Sequence, residues 1–180
     1  LKGDLQRFRD TLEKGLGVVL LLAAPAAAGL AVLRVPIVRL LFEGGAFTAA
    51  DTLNTASALL YYTGGIVAYA LILVLLRVFF AFHAVKTPVL AGLFGIAANV
   101  AVSFLTLKTL GHNGLALATS LGSIVNMLIF FVLLKKHLPS ITFGPLLLSV
   151  LKIGVSTLLM GVAVYGASLL LAGFSDLLCV

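Results

Sequence analysis

Charged residues are scarce in this chain. Only 10% of its 180 residues are Asp, Glu, Lys or Arg, and only 6 of those are acids. A soluble domain carries roughly a quarter, so a water-solvated globule is excluded. The single cysteine, Cys179, excludes an internal disulfide and leaves the redox compartment unread. No repeat with a period of 20–50 residues is visible, nor any low-complexity linker. The chain opens on Leu1 rather than Met, with no signal peptide and cleavage site, and reads as part of a longer protein.

What is present is hydrocarbon: 62% of the residues are hydrophobic. The net charge of +6 would fit nucleic acid if the cations shared one face. They do not. They stand singly or in pairs at the ends of apolar runs, so no nucleic acid is expected. Domain counting by core size does not apply where lipid is the solvent.

The turn Phe42-Glu43-Gly44-Gly45-Ala46-Phe47-Thr48-Ala49-Ala50-Asp51 organises the first half. It holds both acids found between Lys14 and Asp176. Gly44 and Gly45 can take the left-handed backbone that closes a helix. Thr48 and Asp51 have the spacing of a helix start, where a hydroxyl caps a free amide and the acid meets the positive end of the dipole.

Five helices are expected, over residues ~15–42, ~50–82, ~88–108, ~115–137 and ~145–175, since a span needs about 20 apolar residues. Residues 1–14 are a polar, helix-prone lead-in with an apolar stripe of Leu5, Phe8 and Leu12. It suits a cytoplasmic membrane interface or a docking surface. Residues 176–180 form a short tail. Pro25 sits inside the first run, where a proline kinks a helix as a static bend or a moving part. Arg34 and Arg39 lie five apart and point in different directions unless Pro36 breaks the helix between them. They either snorkel to headgroups or face a cavity.

Gly64 and Gly65 follow Tyr61, Tyr62 and Thr63 in mid-span, allowing close packing or local unwinding, and so are candidate hinge residues with Pro25. Arg77 begins an amphipathic stretch that runs to Lys86 and contains Phe79, Phe80 and Phe82. His83 in that stretch has no Cys, Asp or Glu nearby and reads as an interface residue, not a ligand. Asn99 and Asn126 stand near the centres of the third and fourth runs. An amide in hydrocarbon must be paired, so each is either helix–helix glue or part of a cavity lining. The short turn from Lys108 to Gly114 makes those two helices antiparallel neighbours.

Charge also orients the chain. With residue 1 in the cytoplasm, the inside segments hold Lys2, Arg7, Arg9, Lys14, Arg77, Lys86, Lys135, Lys136 and Lys152. The outside segments hold Arg34, Arg39 and Lys108. That bias follows the positive-inside rule, and five spans put residue 180 outside. No metal-ligand spacing, phosphate-cradling glycine motif or intramembrane carboxylate pair is visible. Neither an enzyme nor a cofactor or metal is therefore expected.

The stretch Leu41-Phe42-Glu43-Gly44-Gly45-Ala46-Phe47-Thr48, with Asp51-Thr52, Thr55-Ala56 and Leu59, resembles the lipid II flippase family, MurJ or MviN. So do Arg77-Val78-Phe79-Phe80-Ala81 leading to Lys86-Thr87-Pro88, then Asn99, Gly111-His112-Asn113-Gly114-Leu115-Ala116-Leu117-Ala118, Asn126 and Leu134-Lys135. Pro25 falls where that family usually has a proline. The likeness covers residues ~7–138 and weakens beyond. The family commonly has an acid just before Lys-Thr-Pro, where this sequence reads Ala84-Val85.

The resemblance implies an all-α integral membrane bundle of five transmembrane helices. They would be part of a two-lobe, MATE-like transporter of the MOP superfamily in the bacterial inner membrane. It implies movement of the lipid-linked peptidoglycan precursor, lipid II, by alternating access, with membrane lipids and the remaining helices of the transporter as partners. The family's diphosphate-holding arginines lie mostly in the first lobe and the helix before residue 1, so this piece alone is not expected to flip anything. Candidate substrate contacts are Arg77, Arg34, Arg39, Asn99 and Asn126, with Arg77 the first choice for a headgroup. Two alternatives stay open: a related exporter of lipid-linked polysaccharides or drugs, and a non-transporting membrane scaffold.

Overall fold

The computed structural model describes residues 2–84, 86–137 and 144–178. Val85 of the departure noted above, the connector expected after His137, and Cys179 lie outside the described residues. Six helices follow in order: α1 (Lys2–Val32), α2 (Arg34–Phe42), α3 (Ala49–Ala81), α4 (Lys86–Leu110), α5 (His112–His137) and α6 (Gly144–Leu178). Five of them, all but α2, are long and apolar enough to cross a membrane. The class is all-α.

The structure differs from the single helix expected over ~15–42. The polar lead-in and the first apolar run form one helix, α1, which is helical straight through Pro25 and stops at Val32. The break belongs to Pro36. Its ring has no N–H for the carbonyl four residues back, and would clash with it; that carbonyl is on Val32. Leu33 takes φ −91° and ψ 12° at the joint. Arg34 Nη1 donates to the Ala31 carbonyl at 2.6 Å, serving a helix end that has lost its own donors. At the other terminus α6 runs to Leu178 and takes in part of the expected tail.

The turn between α2 and α3 is bonded throughout. Gly45 has φ +59°, and Gly44 and Phe47 exchange backbone bonds across it. Thr48 and Asp51 form a reciprocal capping box. Glu43 ties the turn to both helices, accepting from Arg39 Nε at 3.3 Å and from Thr52 Oγ1 at 2.8 Å. Between α4 and α5 Gly111 has φ +56°, and a Cβ on Gly114 would stand 2.8 Å from the Thr106 carbonyl oxygen. Glycine at 114 lets the two helices close directly on each other.

Among the described residues the helices neighbour one another in the order α6, α1, α3, α5, α4, with α2 laid on α3. Two kinds of packing hold them. At the end where α1 starts and α3 finishes, large side chains interlock. Leu16, Leu75, Phe79, Phe130 and Leu134 are buried, and the Phe79 and Phe130 rings meet edge-to-face at 5.4 Å. Phe8 and Phe82 meet in the same way at 5.2 Å. Away from that knot, contact passes through small residues. A Cβ on Gly65 would stand 2.8 Å from Ser120 Cα, and one on Gly122 would stand 2.9 Å from the Gly95 carbonyl oxygen. Such residues let helix backbones approach where lipid offers no hydrophobic drive. Large apolar side chains such as Phe104 and Leu105 face outward.

Gly64 and Gly65 separate here. Gly65 lies against α5, Gly64 meets nothing within 4 Å, and α3 is helical through both. A methyl at 65 must push α5 away, whereas one at 64 enters open space. In the full-length protein Gly65→Ala should lower stability by about 1–3 kcal/mol. Gly64→Ala should leave it level or raise it by up to about 1 kcal/mol. Thermal unfolding in detergent checks both, and equal losses would contradict the seam.

Candidate functional site

α3 and α4 barely touch each other, yet each packs tightly on α5. A furrow therefore opens between them, floored by α5. Its floor residues Thr119, Ser123 and Asn126 recur at steps of four and three, one stripe of a helix. Two hollows lie along it. One, of about 320 Å³, follows the α3–α5 seam beside Tyr62, Ile66, Ala70 and Leu73. The other, of about 470 Å³, lies toward α4 beside Gly92, Ile96, Asn99 and Asn126. Tyr69, Thr119 and Ser123 line both.

The two hollows differ in polarity because of where hydroxyl hydrogens go. On the α3 side, Ser120 Oγ donates to the Tyr61 carbonyl at 2.6 Å, Ser123 Oγ to the Thr119 carbonyl and Thr119 Oγ1 to the Leu115 carbonyl, both at 2.9 Å. The hydroxyls are turned into backbone, and the wall left facing outward is hydrocarbon. On the α4 side, Asn99 Nδ2 donates to Thr119 Oγ1 at 3.3 Å and Asn99 Oδ1 accepts from Ser103 at 3.4 Å. Asn126 lies opposite Gly95, and its Oδ1 is buried with no hydrogen-bond partner. An unpaired buried acceptor costs about 1–3 kcal/mol. Of the two asparagines, then, Asn99 bonds across the helix pair and Asn126 does not.

The sequence candidates fall into three places. Asn99 and Asn126 come together in the furrow. Arg34 and Arg39 sit on α2, the first bonded to Ala31 and the second paired with Glu43. Arg77 is exposed near the far end of α3, about 40 Å from the start of that helix. The three arginines do not converge. Pro25 is on α1, whose backbone approaches neither α4 nor α5. His83 takes φ +54° and closes the end of α3 through its backbone. Sequence reading missed Tyr69, Thr119 and Ser123. The steps of four and three from Thr119 to Asn126 were the available signal. Among the described residues no cluster of His, Cys, Asp and Glu could hold a metal ion.

The family model described as "Lipid II flippase MurJ" matches residues 2–178. A probable lipid II flippase MurJ of Bdellovibrio bacteriovorus is 29% identical over 95% of this chain and 33% of its own length. The lipid II flippase MurJ of Thermosipho africanus is 31% identical over 92% of the chain and 33% of its length. A solved structure of lipid II flippase MurJ in an inward closed conformation superposes with a TM-score of 0.72 at 26% identity, covering 98% of this chain and 41% of that one. The chain thus spans about a third of the length of the curated relatives it matches. From its first described helix to its last, this chain belongs to the MurJ family.

Proposed function

We propose that this chain is a five-helix portion of a flippase that carries the lipid-linked peptidoglycan precursor, lipid II, across the bacterial inner membrane by alternating access. Membership of the family over residues 2–178 supports the activity. The observation that carries the site is the unpaired Asn126 carbonyl in the polar half of the furrow. Helix–helix glue requires a bond, and Asn126 lacks one. That oxygen is shut off from solvent in this arrangement, so a cargo headgroup with O–H or N–H donors would reach it when α4 and α5 part, recovering the cost of the unpaired acceptor only while cargo is bound. Asn99 and Thr119, bonded to each other, would hold the wall beside it. Arg77 is not part of this strip.

In this reading residue 1 faces the cytoplasm and residue 180 the outside, as the distribution of cations favours. A tag placed at residue 1 of the full-length protein should resist external protease in spheroplasts, and one at residue 180 should be cut. The reverse pattern would invert the topology.

The transport reading is tested on the full-length protein in vesicles, with labelled lipid II and a quencher that reads leaflet exposure. Wild type should move the lipid. Asn126→Leu should slow movement by on the order of tenfold while leaving thermal stability level or raised, because it removes an unpaired buried acceptor. Asn99→Leu should lower stability as well, by roughly 0.6 kcal/mol or somewhat more for one interhelical bond. Transport untouched by Asn126→Leu would take the furrow off the cargo path. Absence of lipid II movement by the wild type would remove the activity itself.

A further inference from the structure

We propose that Tyr69 reads sugar: the face of its ring seats a pyranose of the cargo headgroup in the furrow. The inference rests on the transport reading and names the part of the cargo that the furrow selects. Three observations meet at this side chain. The first is exposure. Tyr69 stands about 30 Å along α3 from Ala49, well inside a 33-residue helix, and 59% of it is exposed. A tyrosine is at home where its ring is covered and its O–H is served. Here the ring is presented to a hollow.

The second is position. Of the α3 side chains, Tyr69 alone lines both hollows. It stands where the hydrocarbon wall gives way to the strip of amides and hydroxyls. Its ring is open as the helices now lie, whereas Asn126 Oδ1 is not. A ligand can therefore seat on Tyr69 before α4 and α5 part.

The third is chemistry. No charged residue lines either hollow. A diphosphate needs cations and finds none there. A hydrocarbon tail has no use for amides. A cationic drug could meet the ring face but would find no carboxylate beside it. A pyranose fits all three conditions. Its hydroxyls and N-acetyl group can bond to amides, and its face of weakly positive C–H bonds settles on the electron-rich face of an aromatic ring.

The test is equilibrium binding by the full-length protein in detergent, with two probes. One is a polyprenyl diphosphate. The other is the same lipid carrying an N-acetylated disaccharide and no peptide. Wild type should bind the sugared lipid on the order of tenfold more tightly. Tyr69→Leu, which keeps the apolar bulk and removes the ring, should bring the two probes within about twofold by weakening the sugared one. Tyr69→Phe should keep most of the preference. Tyr62→Leu makes the same exchange two turns away, outside the polar hollow, and should leave the preference whole. Equal binding of the two probes by wild type, or a preference unmoved by Tyr69→Leu, overturns the inference. So does displacement of the sugared probe by tetraphenylphosphonium from wild type but not from Tyr69→Leu, which would give the ring to cations.

A photoreactive phenylalanine replacing Tyr69 in intact membranes gives a second reading. Capture of the lipid-linked precursor supports the inference. Capture of another segment of the polypeptide overturns it, because the ring would then be covered. Lipid II movement by a protein indifferent to the sugar would sink this inference and leave the proposed function standing. A sugar preference that depends on Tyr69, in a protein that moves no lipid II, would do the reverse.

Discussion

The closeness of α5 to the two helices beside it governs this structure. Lipid tails are as apolar as leucine, so burying side chains against a neighbouring helix gains little from the hydrophobic effect. What remains is contact between backbones and a few interhelical hydrogen bonds. Glycine at 65, 95 and 122 supplies the first, and Ser120 to Tyr61 and Asn99 to Thr119 supply the second. Because α5 serves both neighbours, α3 and α4 are held apart from each other, and the furrow between them follows. The site is a by-product of how the seam is made.

The large side chains play a different part. Leu16, Leu75, Phe79, Phe130 and Leu134 fill one end of the bundle at full burial. A knot of that kind resists shear, since packed cores deform in steps rather than smoothly. The small-residue seams contain no such interlock. The knot ties α1, α3 and α5 together and takes only Ala91 from α4. Pro25 and Pro36 are on α1 and α2, on the other side of α3 from that furrow.

Hydropathy made the spans legible, because twenty uncharged residues have no other stable home. The α2–α3 turn was legible too, because its signals are local: Thr48, Asp51 and two glycines within eight residues. The break at Leu33 was half legible. Pro36 announces it, but the joint falls three residues earlier, where its ring meets the Val32 carbonyl. The asparagines drew notice as amides in hydrocarbon, and Ser103, one turn beyond Asn99, is a partner the sequence offers to that amide and not to Asn126, where Phe130 stands instead. The placement of Thr119 beside Asn99, and of Gly95 opposite Asn126, is tertiary and has no local signal. The separation of the arginines was hidden for the same reason: helix order in the bundle decides it, and no local pattern reports that order.

The furrow's two halves share Tyr69, Thr119 and Ser123 but have opposite chemistry, and helix geometry explains how. A serine or threonine in a helix can return its hydrogen to the carbonyl one turn back, which erases its polarity toward lipid. An asparagine side chain is longer and carries both a donor and an acceptor, so one internal bond leaves the other end still to be satisfied. Hydroxyls therefore produce a smooth hydrocarbon wall on the α3 side, and amides produce a polar strip on the α4 side. A headgroup and an acyl chain make contrary demands on a binding surface. One helix, α5, presents both faces, and its Thr119 and Ser123 line both hollows.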